Sequence, residues 1–422
     1  MDEMMKGKRL AVFGANNITH DVMDYAHAHG ITVLSVSNDP NAALHKVSDE
    51  QYVMNNTDEE LMMRFFREQR VDGLLNISAQ KVIRKSVDFI AKTPFHYYAK
   101  PEAWHLLMDK KRFKEYSKQF GIKVTENYSP EDPNIQFPVV VKPIAGCNSY
   151  GMTVCRSREE LIPAIEEARK KSLEGGEFIC ERYVEGYMFQ LFLWRQRGKT
   201  YVASTASFID YDFIWEGLRA PLLHLIPGKG ENIIHSKLLK PLSAMLDDLG
   251  VDDGSCFFQG IMDDNGEPYI FDTGFCLPGS MDYRVVKREK GIDLVGCYIQ
   301  HALTGKFGDD FSALEKPYEH CHAVFSPALK NGVIGKIRGL DAIADVPGVY
   351  YVHPYRKEGS EMTKFGYPVH QDLCRIYVEA PDNAELLKRI QKIMDLLQVE
   401  NDKGENMLRE YPAGWQDFFN EQ

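Results

Sequence analysis

Residues 137–161 read FPVVVKPIAGCNSYGMTVCRSREEL. The run from Phe137 to Val141 is apolar and β-branched, the composition of a strand, and it delivers Lys142 at its end. Pro143 follows, then a short loop containing Gly146, Asn148, Ser149 and Gly151, then a second strand-like run. A strand fixes a lysine where it can meet phosphate charge, and a glycine-bearing loop lets backbone N–H groups close over the phosphates. The bland alternative is a surface hairpin with an incidental lysine. The placement of Lys142 at the end of an apolar strand, directly before proline and a glycine loop, argues against it.

Two neighbouring stretches lie at fitting distances. Upstream, a helix opens near Asp109 with Lys110 at its start. It carries Phe113, Tyr116 and Phe120 at helical spacing and ends at Gly121 as a C-terminal cap. Downstream, FICERYVEGYMFQLFLW is a strand, a break from Tyr183 to Gly186, and a second strand. Such a break exposes a free backbone donor and acceptor. Glu181 beside it can accept from an amino group, so that together they suit an adenine edge. Taken singly, Lys110 also reads as a solvated helix lysine and Glu181 as an exposed strand residue.

Around this centre the chain alternates. Residues 8–93 show Arg9–Phe13, 31–36 and 71–78 as strands, with helix-like stretches from Asp21 to His29 and from Ala79 to Lys92. That order implies βαβ units and a parallel, Rossmann-like sheet. The turn after the first strand has one glycine, Gly14, so the dinucleotide fingerprint is missing and a nicotinamide-dependent enzyme is a weak reading. From 137 to 305 hairpins and long strands mix with helices, and Asp263-Asp264-Asn265-Gly266 is a hairpin turn. The tail ends in an amphipathic helix with Leu386, Leu387, Ile390, Ile393, Met394 and Leu397 on one face. The fold expected is α/β and α+β, multidomain: a Rossmann-like domain at 1–95, a two-lobed domain at 96–308 with a lid at about 137–185, and a smaller α+β domain at 309–422.

Bulk properties narrow the partners. With 422 residues, 44% hydrophobic and 26% charged, the chain is a globular protein of several domains. A net charge of −11 without a basic stripe excludes a phosphate-gripping nucleic-acid binder and favours a small-molecule ligand. No apolar run approaches the roughly 18–20 residues a membrane span needs. Eight singly placed cysteines without a CxxC pair fit reduced thiols, so the expected address is the cytoplasm, with no membrane partner. His320-Cys321-His322 invites a metal reading, but adjacent strand residues alternate faces and one site rarely collects all three.

The order DK…GI, FPVVVKP…GCNSYG, ERYVEG, DDNGEPYIFDTG resembles the ATP-grasp superfamily, in particular its carboxylate–amine ligases and carbamoyl-phosphate-synthase-like proteins. The resemblance spans about residues 1–310. It implies ATP and Mg2+ as cofactors. Lys110 and Lys142 would contact the phosphates, Gly146, Ser149 and Gly151 would form a mobile lid over them, and Glu181 with the Tyr183–Val184 backbone would read adenine. It also implies departures. The ribose acid after the hinge is replaced by Met188, and the metal pair becomes Gln259 and Asp272. The family arginine falls on Cys276, which leaves Arg284 to substitute for it as the catalytic cation. Arg219 and His224 are candidates for holding a substrate carboxylate. The function expected is an ATP-dependent ligase that makes an acyl phosphate from a small carboxylate and passes it to an amine, with a homodimer as the candidate assembly. A catalytically impaired ATP-binding protein of the same fold is the alternative.

Overall fold

The computed structural model describes residues 2–14, 18–77, 80–144, 151–172, 176–210, 221–308, 310–362 and 371–419. Four parallel strands form the N-terminal sheet, in the order Glu50–Val53, Thr32–Ser37, Arg9–Phe13, Gly73–Leu75. The apolar run at 9–13 is central because both its faces are covered. Leu10 and Val12 join a core with Val22 and Ala26, while Ala11 and Phe13 join another with Phe65 and Phe66. The flanking helices are Thr19–Ala28, Glu59–Glu68 and Gln80–Ile90. The second starts at Asp58, whose side chain accepts from the Leu61 N–H at 2.9 Å and satisfies one of its free donors.

The expected helix beginning at Asp109 is the second of a pair, Pro101–Met108 and Lys110–Lys118. Asp109 separates them and caps the second by accepting from the N–H groups of Lys111 and Arg112, each at 3.0 Å. Next comes a small antiparallel sheet in the order Thr153–Cys155, Val139–Pro143, Phe178–Arg182. The helix Leu161–Lys171 backs it, closing a core of Val139, Val141, Cys155, Ala164, Ala168 and Cys180. By strand alternation Val140, Lys142 and Glu181 occupy the other face.

The body of the molecule is an eight-stranded sheet. Its order is Pro268–Gly274, Gly254–Met262, Tyr187–Gln196, Lys199–Asp210, Pro221–Ile226, Cys321–Phe325, Cys374–Ala380, Val349–Pro354. Three strands from beyond residue 309 therefore continue the sheet begun before it, and the C-terminal segment shares a sheet with the central one. Its final helix, Asn383–Leu396, buries Leu386, Ile390 and Ile393, the face its periodicity marks. Among the described residues no helix is long and apolar enough to cross a membrane.

The small sheet joins the large one through Gly186, which has φ +142° and lies so close to the strand end at Met262 that a Cβ there would stand 1.9 Å from the Met262 carbonyl oxygen. No side chain fits that crossing. Gly186→Ala is expected to lower stability by about 2 kcal/mol or more. Urea unfolding checks this, and an unchanged midpoint would contradict the close approach.

Candidate functional site

Helical spacing builds the first half of the site. Lys110 and Lys114 are four residues apart, so they project from one face of their helix. Lys110 Nζ lies 3.0 Å from Asp272 Oδ2 on the large sheet. Lys114, fully buried, pairs with Glu181 on the small sheet and also donates to Thr125 Oγ1 at 2.7 Å and Asn127 Oδ1 at 3.3 Å. One helix thus ties carboxylates on both sheets.

Lys142 completes the cluster. Val140 pairs with Glu181 and Lys142 with Ile179, so Lys142 and Glu181 are diagonal neighbours on one face, and their side chains form an ion pair. Phe271 lies beneath the ammonium, its ring centre 5.1 Å away. Glu181 thereby holds two ammoniums, and Thr125 donates to it at 2.9 Å. Burial alone would raise the Glu181 carboxyl, but Lys142 and Lys114 outweigh it and hold it well below the ordinary carboxylate range. Burial lowers the Lys114 ammonium, against the opposing pull of Glu181.

The remaining expected residues fall as follows. Gly151 has φ +79°, and a Cβ there would come within 3.0 Å of Pro143 Cγ and 2.9 Å of Lys171 Cβ, so the loop closes only through glycine. Gly146, Ser149 and Arg219 lie outside the described residues. The Tyr183 N–H donates to the Pro138 carbonyl at 3.3 Å, and Val184 beside it is buried. Arg284 is committed elsewhere. Its guanidinium pairs with Asp21 at 2.6 Å and lies 3.9 Å over the Tyr351 ring. Burial raises the Asp21 carboxyl against the pull of that arginine. His320 and His322 share the Glu289 carboxylate, each at 3.1 Å, and among the described residues no cluster of three His, Cys, Asp or Glu side chains suits a metal ion.

The large sheet carries the second half of the site. Asp272 pairs in register with Gln259, Gln259 with Gln190, and Gln190 with Ala206. Phe208, two residues on and so on the same face, pairs with His224. The row continues through Val324 and Tyr377 to Tyr351. One face of the sheet therefore runs from Lys110 to the C-terminal strands.

Side-chain bonds follow that row with a fixed polarity. A carboxylate only accepts. Asp282 Oδ2 takes the Gln190 Nε2 donor at 2.7 Å, and Ser280 Oγ shares it at 3.0 Å. Gln190 Oε1 then accepts from Gln259 Nε2 at 3.1 Å, leaving Gln259 its carbonyl oxygen for other use. That oxygen and the Asp272 carboxylate are hard donors on neighbouring strands. They fit magnesium when phosphate oxygens and water complete its shell, the usual arrangement for that ion. Sequence reading missed Lys114, Gln190 and Asp282. Only Lys114 carried a local signal, its four-residue offset from Lys110.

Comparison with known proteins bears on this geometry. Residues 109–189, which include Lys110, Lys114, Lys142 and Glu181, match the family model described as the carbamoyl-phosphate synthase L chain, ATP binding domain. The formate-dependent phosphoribosylglycinamide formyltransferase of Wolinella succinogenes is 21% identical over 185 residues, which are 42% of this chain and 48% of that protein. The chain thus spans about half the length of the curated relatives it matches. The L-amino acid ligase from Bacillus licheniformis superposes with a TM-score of 0.78 at 17% identity, covering 94% of this chain and 99% of that one. The biotin carboxylase domain of the Hydrogenobacter thermophilus 2-oxoglutarate carboxylase, a dimer solved with MgADP and bicarbonate, gives 0.73 at 16% identity over 95% and 91%. At such identities the likeness is one of fold.

Removing the charge of Glu181 leaves two ammoniums without their anion. Glu181→Gln is expected to cost about 3–5 kcal/mol in urea unfolding at neutral pH. Because the carboxyl is held down in the folded protein, its contribution is complete above the ordinary carboxylate pKa and fades only as the pH falls below it. A variant as stable as the parent would contradict the shared ion pair.

Proposed function

We propose that this chain, an ATP-grasp protein by its matched segment and by its fold, uses ATP to phosphorylate a small-molecule carboxylate and passes the acyl group to an amine, releasing ADP and phosphate. One observation carries the reading: Lys110, Lys114 and Lys142 converge between two sheets, and the polar row of the larger sheet leads away from that point. Lys110 and Lys142, the two that keep some exposure, suit a triphosphate, while Lys114 is buried behind them against Glu181. The row beyond them gives the reacting carboxylate and amine a place in line with it.

On this reading Lys142 and Lys110 bind the phosphates, and Glu181 and Asp272 orient the lysines that they pair with. The loop that contains Gly146, Ser149 and Gly151 covers the phosphates and keeps water from the acyl phosphate. Adenine lies against the Tyr183–Val184 segment, with Glu181 beneath it. Asp272 and the Gln259 carbonyl oxygen would hold magnesium, which when bound would supply neutralising charge to the transferred phosphoryl group. Arg284, tied to Asp21 and Tyr351, serves in this reading as the catalytic cation at the far end of the row, where it also fixes the helix Thr19–Ala28 against the C-terminal strands.

The impaired alternative is not favoured, since the lysine cluster and a metal-compatible oxygen pair are both retained. A cytoplasmic address fits the free cysteines among the described residues. A homodimer has the dimeric biotin carboxylase domain as its precedent.

With ATP, magnesium and the proteinogenic amino acids serving as both carboxylate and amine, the protein should release ADP. Lys142→Ala should lose the protection that ATP gives against thermal unfolding, and Asp272→Asn should fold normally yet release ADP at least about 100-fold more slowly. Full protection in the first variant, or full turnover in the second, would remove that residue from the site.

A further inference from the structure

Beyond Gln190 the polar row reaches a pair of side chains with unused bonding capacity. Asp282 is 0% exposed, and while its Oδ2 accepts from Gln190, its Oδ1 has no hydrogen-bond partner among the described residues. His224 is 2% exposed, and neither ring nitrogen has a hydrogen-bond partner among the described residues. His224 Nδ1 stands 3.8 Å from Asp282 Oδ1, too far for a hydrogen bond and close enough for charge to be felt. Buried polar atoms are nearly always paired, so three orphans in one spot call for an explanation.

The surroundings hold this pair still. Phe208 packs against the imidazole with ring centres 4.5 Å apart. Asp282 follows Met281, a buried non-glycine residue at φ +63°, a conformation such a side chain takes only under constraint. The constraint is visible: the Met281 N–H donates to the Pro278 carbonyl at 3.1 Å, and Arg375, itself buried, donates to the Gly279 carbonyl at 2.7 Å. Strain of this kind gathers at functional sites.

We propose that Asp282 and His224 form the subsite for the attacking amine, with His224 as the catalytic base. This deepens the ligase reading above and rests on it. An amine arrives largely as an ammonium, which has no lone pair to attack with. Asp282 draws the positive charge into the row, and His224 takes one N–H proton, which frees the lone pair that attacks the acyl carbon. The C–N bond forms, the bond from that carbon to the phosphate oxygen breaks, phosphate leaves with its electron pair and carries off the second N–H proton, and the imidazolium left behind faces the Asp282 carboxylate. The carboxylate to be activated lies nearer Gln259, between this pair and the lysines.

Hydroxylamine separates this step from the one before it. It is neutral near pH 7 and captures an acyl phosphate without a base, giving a hydroxamate. The parent protein, with ATP, magnesium and the proteinogenic amino acids, should give amide products by mass spectrometry, and hydroxamates when hydroxylamine is added. His224→Asn should form amides at least about 100-fold more slowly while hydroxamate production stays within about threefold of the parent. Undiminished amide formation would overturn the proposal. So would parallel loss of amide and hydroxamate, which would place His224 in binding or folding rather than proton transfer. His224→Ala with added imidazole is the second variant, in which amide formation should return. Absence of both ADP and hydroxamate in the parent would instead overturn the ligase reading, and the subsite with it.

Discussion

Glu181 accepts two ammoniums at once, from Lys142 on its own sheet and from Lys114 on a helix that also sends Lys110 to the other sheet. Like charges brought this close repel by about 4 kcal/mol at 4 Å in a medium of dielectric near 20. A cluster of three ammoniums therefore needs its own countercharge, or it would drive the two sheets apart. Glu181 and Asp272 supply that charge within the chain. They sit on different sheets, so they also set where the helix carrying the lysines can lie. The core behind the small sheet, the close crossing at Gly186 and the capping of the helix by Asp109 all serve that placement.

The large sheet extends the arrangement by register alone. Its pairing brings Asp272, Gln259, Gln190, His224, Tyr377 and Tyr351 onto one face, although they come from sequence positions nearly two hundred residues apart. A slip of one residue in any strand would turn its member to the opposite face. The lysine cluster and the His224–Asp282 pair are thus held in one frame, and Asp282 is linked toward Asp272 through the oriented amides of Gln190 and Gln259.

Much of this was legible wherever chemistry and local structure coincide. Lys142 stood out because an apolar strand ends on it before a proline and a glycine loop, and Lys110 because it follows a capping aspartate. The βαβ alternation of residues 8–93 and the amphipathic face at Leu386, Ile390 and Ile393 were equally local. Lys114 looked like one more lysine in a charged helix, since only the packing of that helix against both sheets buries it. Gln190 and Asp282 carry no sequence signal at all, because their meeting depends on the pairing of strands far apart in the chain. For the same reason the C-terminal segment read as a domain of its own, although three of its strands extend the central sheet.

The central claim is that a carboxylate oxygen attacks the terminal phosphorus of ATP at the lysine cluster. Transfer of that oxygen tests it most directly. With amino acids labelled by 18O in the carboxyl group, ATP and magnesium, the phosphate released alongside ADP should carry one 18O atom for each amide formed. Unlabelled phosphate, or release of AMP and pyrophosphate with the label in AMP, would contradict it.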